Sequence, residues 1–222
     1  MQRLRLKSGR EEEVKFISHL DMMRFWERAL RRAGVPLAYS QGFTAHPQIS
    51  IAAPLPVGVT TEAELMDVWL SRWMPPQSFI MKVKSQLPQG FKIFDVWEIG
   101  LKIPSLQSSI AFAEYRVEVK SEGVEKDVQI ALHSLLQATQ LPWHHSRGRE
   151  EHFYDLRALI EDVWLIEREQ FTGQYLLGMR LRCGNEGSGR PEQVTTALGF
   201  SRQPDSIHRT KLIFKKQIAI IE

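Results

Sequence analysis

The sequence predicts an α+β protein built from two tandem ferredoxin-like halves, each with the element order βαββαβ. Residues 1–103 show this order of strand and helix patterns, and residues 110–222 show it again. A short turn-rich stretch, residues 104–109, separates them and resembles a linker. The length of 222 residues suits two small domains, and a 43% hydrophobic share is ordinary for a globular protein.

In the first half, residues 3–8 alternate basic and apolar side chains, which is the period of a half-buried strand. The helix that follows is predicted to begin after Ser18, a good N-cap, and to end at Gly34. We expect its apolar face to carry Leu20, Met23, Trp26 or Glu27, Leu30 and Ala33. The remaining predicted elements are strands over residues 49–54, 62–71 and 90–100, and a second helix that starts at two prolines, 75 and 76.

In the second half, alternating residues 113–120 predict a strand, and apolar positions in residues 124–138 predict a helix. Residues 153–169 are rich in apolar and branched side chains, so we interpret them as one strand with a bulge that pairs with residues 174–184. A helix over residues 190–200 and a last strand from residue 207 complete the pattern.

Composition narrows the classes of protein to consider. The formal net charge is +3, which permits an anionic partner without requiring one. The chain has one cysteine, Cys183, so it cannot form an internal disulfide. The first residues lack the apolar core of a signal peptide, and no window approaches the roughly 18 apolar residues of a membrane span. We therefore expect a cytoplasmic protein with no membrane contact.

Several motifs resemble one bacterial family, the uncharacterised radical-SAM-linked domain. They are SHLD at residues 18–21, RALRRAG at 28–34, SQGF at 40–43, His46-Pro47, PLPVG at 54–58, DLR at 155–157 and HRT at 208–210. The sequence departs from the family pattern at Thr44-Ala45, where Asn-Pro is commoner, so a role of that asparagine does not carry over. Members of this family are fused to radical SAM proteins or encoded beside them.

The resemblance implies an accessory protein that works with a radical SAM enzyme, in tRNA or rRNA modification. A radical SAM cluster needs three cysteine ligands, so this chain cannot be that enzyme. We therefore predict a non-catalytic protein without a cofactor or metal of its own, which binds RNA or presents it to a radical SAM partner. Two alternatives stay open: a protein-interaction adaptor that binds no nucleic acid, and an enzyme in its own right that acts on RNA.

Basic side chains supply the candidates for RNA contacts. In the first predicted helix, Arg24, Arg28 and Arg31 follow the spacing i, i+4, i+7 and form one stripe, which Glu27 can weaken. The polar face of the first strand adds three more basic residues. The full set of RNA-binding candidates is Arg3, Arg5, Lys7, Arg24, Arg28, Arg31 and Arg157.

The segment of residues 39–58 combines turn-formers, polar groups and apolar side chains. Gly42 and Gly58 permit backbone conformations closed to other residues, so we predict strained turns at both. One interpretation is a preformed ligand loop with Gln41 and His46 pointing outward. The other is a structural loop that packs Phe43, Leu55 and Val57 under the core. The loop-site candidates are Ser40, Gln41, Gly42, Phe43, His46, Asp155 and His208.

Catalytic and metal sites have weaker support in the sequence. Asp155 and Arg157 lie two residues apart and would share a face of a strand, with Arg157 on a phosphate and Asp155 as a base. A nucleophilic group of Ser40, His46 and Asp155 is only a set of suitable residue types. The spacing of His144, His145, Glu151 and His152 matches no standard metal site and is explained by a polar loop.

Overall fold

The structure is a computed structural model, and it describes residues 1–121, 128–147, 150–169, 172–184 and 187–215. It is a mixed α/β protein with mostly antiparallel strands and a few helices, so the predicted combination of helices and antiparallel sheet is confirmed. Two compact units are present. The first is residues 1–110 with Phe214 and Lys215 among the described residues, and the second is residues 111–213. The predicted boundaries of 1–103 and 110–222 stay a prediction, as do the two ferredoxin-like halves.

The first unit contains four paired strands and three helices. The strands are β1 (Gln2–Arg10), β2 (Ile49–Ile51), β3 (Thr60–Leu70) and β4 (Phe91–Ile99). The helices are α1 (His19–Arg32), α2 (Pro76–Lys84) and the short α3 (Leu106–Ser109). The strands lie in the order β4–β1–β3–β2, and every neighbouring pair is antiparallel. This sheet is the scaffold on which α1 is held.

The core of the first unit lies between one face of the sheet and the two longer helices. Leu4, Leu6, Met66 and Val68 point from β1 and β3 into a cluster with Trp26, Leu30, Phe79 and Val83. Trp26 is buried and meets the ring of Phe91 edge-on, with 6.1 Å between ring centroids. Burial of such apolar side chains is the main favourable term in folding.

The first helix has the predicted ends and most of the predicted apolar face. The Ser18 hydroxyl accepts a hydrogen bond from the Asp21 N–H at 3.2 Å, and Gly34 has a φ of 66° directly after the helix. The residues of α1 that are buried are Met22, Trp26, Ala29 and Leu30, whereas Leu20 is exposed. Trp26 and Leu30 are buried as predicted, and Met23 and Ala33 pack against the core, so the predicted face is wrong only at Leu20. The run of apolar residues at 20, 22, 23, 25 and 26 fits several neighbouring arcs, so the sequence does not exclude Leu20.

The second unit is also largely antiparallel. Its main strands are β5 (Ile110–Lys120), β8 (Ile160–Glu169), β9 (Gln174–Arg182) and β10 (Ser206–Phe214), in the order β10–β5–β9–β8. Its helices are α4 (Val128–Gln137) and α5 (Pro191–Ala197). Two further strands, β6 (Pro142–Arg147) and β7 (Glu150–Asp155), form a separate two-stranded ribbon.

The strand predicted over residues 153–169 is wrong as one continuous strand, because the chain turns in its middle, but its predicted pairing with residues 174–184 is confirmed for residues 160–169. Strand β7 ends at Asp155, residues Arg157–Leu159 form a 3-10 turn, and β8 begins at Ile160. The Asp155 carboxylate fixes this break by accepting hydrogen bonds from the N–H groups of Leu141 at 2.8 Å and Arg157 at 3.0 Å. An aspartate that bonds a backbone N–H two residues on favours a turn over a strand.

The predicted strained turns at Gly42 and Gly58 are confirmed, since their φ angles are 134° and 89°. No atom crowds the position of a Cβ at Gly42, and at Gly58 the nearest is a ring carbon of Phe16 at 4.0 Å. The backbone angle, rather than a lack of space, therefore requires glycine at both positions. No helix in the described ranges is long and apolar enough to cross a membrane.

Candidate nucleic-acid interface

The outer face of α1 carries three exposed arginines, Arg24, Arg28 and Arg31. At a rise of 1.5 Å per residue, the stripe is about 10 Å long. Arg24 lies 3.4 Å from Asp21, and both side chains are largely exposed. Within the ranges that the structure describes, Arg28 and Arg31 form no ion pair. Since Glu27 pairs with neither arginine there, the stripe keeps most of its positive charge.

The segment after α1 forms a hairpin that is anchored to β3. Ala38 donates to the Trp69 carbonyl at 2.8 Å, and the Trp69 N–H donates to Gln48 at 3.1 Å. Tyr39 and Pro47 pair across the base of the hairpin. We call residues 40–46, which close this hairpin, the presented loop. Its position is fixed by the sheet even though the loop itself is a surface feature.

The presented loop is closed by its own hydrogen bonds. The Ser40 N–H donates to the His46 carbonyl at 2.9 Å, and the His46 N–H donates to the Ser40 hydroxyl at 3.1 Å. Every residue from 41 to 46 is exposed, and Phe43 is fully so, at 113% of its reference area. The structure therefore brings five of the predicted loop-site residues together: Ser40, Gln41, Gly42, Phe43 and His46.

A cation–π contact connects the presented loop with the arginine stripe. The Arg31 guanidinium lies over the ring of Tyr39, 5.9 Å from its centroid. Tyr39 directly precedes the loop, so the C-terminal end of the stripe lies at the loop's base. We call Arg24, Arg28, Arg31 and the presented loop together the α1 interface.

Arg3 and Arg5 are not surface residues, so their assignment to an RNA-binding face is wrong. They are 2% and 7% exposed, and both bind the fully buried carboxylate of Asp67. Arg3 Nη2 lies 2.5 Å from Asp67 Oδ2, and Arg5 Nε lies 2.8 Å from Oδ1. Arg3 also donates to the carbonyls of Ile103 and Pro104. These guanidiniums are buried and already bound to groups of the protein, so they cannot reach a phosphate.

Lys7 and Arg157, the remaining two basic candidates, differ in their exposure. Lys7 is exposed as predicted, and its ammonium lies 5.9 Å from the centroid of the Phe94 ring. Arg157 is half-buried and donates to the carbonyls of Ile160 at 2.6 Å and Leu136 at 3.0 Å. Arg157 thus connects the 3-10 turn to the end of α4. Its role is structural, so the prediction that it contacts a phosphate is corrected.

Asp155 and His208 lie in the second unit, whereas the presented loop belongs to the first. Asp155 and Arg157 do not share a strand face, because the chain turns between them, and the Asp155 carboxylate holds that turn. His208 is half-buried within β10. In the presented loop, Ser40 and His46 are joined through the His46 backbone N–H rather than its imidazole. This geometry offers no activation of the Ser40 hydroxyl.

The histidine-rich stretch is a β-ribbon rather than the expected polar loop. His144 pairs with Phe153 in register, and their rings lie 5.9 Å apart. A groove of about 530 Å³ follows this ribbon; its lining includes Trp143, Phe153 and Asp155. In the part of the chain that is described, no group of three or more His, Cys, Asp or Glu side chains is placed to hold a metal ion.

Three groups of the second unit have a pKa above the ordinary value. Burial raises the pKa of Tyr115 to about 12, although the nearby Arg209 opposes the shift. Burial also raises the pKa of the Cys183 thiol, again against Arg209. A raised pKa keeps the thiol protonated, and the thiol is a much weaker nucleophile than the thiolate. Burial likewise raises the pKa of Tyr154 on the ribbon.

Comparison with protein families gives a match over most of the chain. The profile of the family described as "Uncharacterized protein conserved in bacteria (DUF2344)" matches residues 3–191. The chain belongs to this family. The matched region includes α1, the presented loop and Asp67, so the α1 interface lies within the family's domain. A comparison with curated proteins gave no match.

Solved structures resemble this chain at very low sequence identity. A chain of a Cbf5–Nop10–Gar1 complex has a TM-score of 0.50 and 8% identity, covering 93% of this chain and 48% of that one. A chain of an H/ACA RNP bound to a substrate RNA containing 2′-deoxyuridine has a TM-score of 0.47 and 9% identity, with coverages of 94% and 47%. A chain of an archaeal box H/ACA sRNP Nop10–Cbf5 complex scores 0.44 at 8% identity, with coverages of 91% and 46%. The chain thus spans about half the length of these structures.

Sequence reasoning missed two buried groups that shape the first unit. Asp67 is a carboxylate inside the apolar run of β3, which is a signal that it needs a cationic partner on a neighbouring strand. Arg10 is 2% exposed and donates to the carbonyls of Ile17, Pro56 and Val59. It joins the entry of α1 to the PLPVG turn, and nothing in the local sequence distinguishes it from the exposed Lys7.

Proposed function

We propose that this protein is an accessory RNA-binding protein that presents RNA to a radical SAM enzyme. The observation that carries the proposal is the exposed stripe of Arg24, Arg28 and Arg31 on α1, of which only Arg24 forms an ion pair within the described residues. Arginine side chains spaced along one face suit the repeating phosphates of a nucleic acid, because each guanidinium donates several hydrogen bonds in a planar fork.

The radical SAM partner is the part of the proposal that rests on family resemblance. The motifs shared with the radical-SAM-linked domain lie around the α1 interface: SHLD at the start of the helix, RALRRAG at its end and SQGF in the presented loop. The chain's single cysteine cannot support an iron–sulfur cluster, so the cluster would belong to the partner.

We also propose that both units are ferredoxin-like domains. The first has six elements in the order βαββαβ, followed by α3, and a sheet order of β4–β1–β3–β2. The second keeps a strand–helix beginning and a helix–strand end, with the β6–β7 ribbon inserted. This arrangement would place α1 on one face of a rigid sheet, with its arginine stripe free to contact RNA.

RNA binding by this protein is expected to weaken steeply with salt. If three arginines each neutralise one phosphate, the logarithm of the association constant falls with a slope of about −2 against the logarithm of salt concentration on single-stranded RNA. Affinity should then fall about twentyfold between about 50 and about 200 mM salt. Fluorescence anisotropy with a labelled oligouridylate, titrated at several salt concentrations, measures this slope.

A flat salt dependence would contradict the proposal, because contacts to phosphates must release counterions. The adaptor hypothesis gives a different result: no measurable RNA binding at physiological salt, and capture of a protein partner through the same face of α1. Anisotropy without RNA, using a labelled radical SAM protein from the same organism, distinguishes a protein-binding role from an RNA-binding one.

A further inference from the structure

The ring of Phe43 has no packing partner in the presented loop. Its exposure of 113% exceeds that of the extended reference peptide, so the loop holds the ring away from the protein surface. The loop is nonetheless closed by two hydrogen bonds between Ser40 and His46, one between backbone groups and one from the His46 N–H to the Ser40 hydroxyl, and its base is anchored to β3. An aromatic ring at the tip of an anchored loop is a preformed contact group.

The ring and the arginine stripe occupy the same part of the first unit. Arg31 stacks on Tyr39, and Phe43 follows Tyr39 by four residues. Four residues of chain reach at most about 14 Å, which is close to the length of the stripe itself. One ligand of a few nucleotides can therefore touch both the guanidiniums and the ring.

We infer that the α1 interface is selective for single-stranded RNA and that Phe43 stacks on an unpaired base. This inference rests on the RNA-binding function proposed above. Arginines can bind the phosphates of single strands and duplexes alike, but an aromatic side chain stacks only on a base that is free of its neighbours. In an A-form duplex the base faces are covered, and the deep major groove excludes side chains.

The charge on the surface favours RNA over a peptide as the occupant. The ring lies four residues along the chain from Tyr39, which Arg31 contacts. The residues of the loop itself, 40–46, carry no acidic or basic side chain apart from His46. Cations beside a stacking ring match the chemistry of a single strand, in which each nucleotide has one phosphate and one base.

The test compares Phe43→Ala with wild type by fluorescence anisotropy on two probes, a short labelled oligouridylate and an RNA duplex of the same length. Phe43→Ala should weaken binding of the oligouridylate about tenfold and change duplex binding less than about twofold. The salt slope should not change, because no phosphate contact is lost. Val57→Ala, which truncates another exposed apolar residue of the same segment, is the matched control and should leave both affinities unchanged.

The outcomes separate the inference from the proposed function. If Phe43→Ala leaves the oligouridylate affinity unchanged, or if wild type prefers the duplex, the single-strand inference is overturned while RNA binding stands. If wild type binds neither probe, the proposed RNA-binding function itself fails. Circular dichroism on the variant checks that the fold is intact, which is expected because Phe43 contributes nothing to the core.

Discussion

Replacement of Asp67 by asparagine is expected to lower the free energy of unfolding by about 3 to 5 kcal/mol. Asp67 is fully buried and is the shared counter-ion of Arg3 and Arg5, which are themselves almost inaccessible. Asparagine keeps the shape but removes the charge, so two buried guanidiniums would lose their anionic partner. Breaking a buried ion pair from one side costs far more than breaking one on the surface.

Urea unfolding followed by circular dichroism measures this change. Glu62→Gln is the matched control, because Glu62 lies on the same strand with an exposed side chain, and it should shift the transition by less than about 1 kcal/mol. An unfolding transition of Asp67→Asn that coincides with the wild-type transition would show that the arginines find other partners, and that the Asp67 pairs do not hold this face of the sheet.

Replacement of Arg10 by methionine is expected to lower the free energy of unfolding by about 3 kcal/mol. The guanidinium donates to Pro56 and Val59 at 2.8 Å each, and to Ile17 at 3.4 Å. Methionine fills similar space without a donor, so these carbonyls would lose their bonds to a side chain that is itself buried. Each buried polar group left unsatisfied costs about 1–3 kcal/mol.

The loss at Arg10 should also be visible locally. Hydrogen exchange at the Gly58 amide, which donates to the Lys15 carbonyl at 2.8 Å, should accelerate because the PLPVG turn is no longer tied to β1. Lys7→Met removes a cation from an exposed position of the same strand and is expected to cost less than about 1 kcal/mol. Equal effects of the two variants would contradict the role assigned to Arg10.

The local features of the first unit could be read from the sequence because they depend on short-range chemistry. The Ser18 cap needs only an acceptor placed three residues before a free N–H, and Gly34 and Gly58 mark backbone angles that other residues avoid. Likewise, the spacing of Arg24, Arg28 and Arg31 follows from the helical period alone, and all three are exposed.

The sequence predictions failed where contacts between residues distant in sequence determine burial or secondary structure. Alternation in residues 3–8 correctly separates Leu4 and Leu6 from Arg3 and Arg5, but it cannot show that the arginine face is also covered. The arginines are buried because they bind Asp67, which lies more than sixty residues away in sequence. At Asp155, one side-chain oxygen that bonds two backbone N–H groups overrides the strand propensity of an apolar run.

The α1 interface is most directly tested by charge reversal of Arg24 and Arg28, measured by anisotropy with labelled oligouridylate at low salt. Lys82→Glu/Lys84→Glu is the matched control, since both lysines are exposed on α2 and the change in net charge is the same. We expect Arg24→Glu/Arg28→Glu to weaken RNA binding at least about a hundredfold, to flatten the salt slope and to keep the wild-type circular dichroism spectrum, while the control retains most of its affinity. Equal losses in the two double variants would mean that RNA responds only to net charge, and would contradict the assignment of binding to α1.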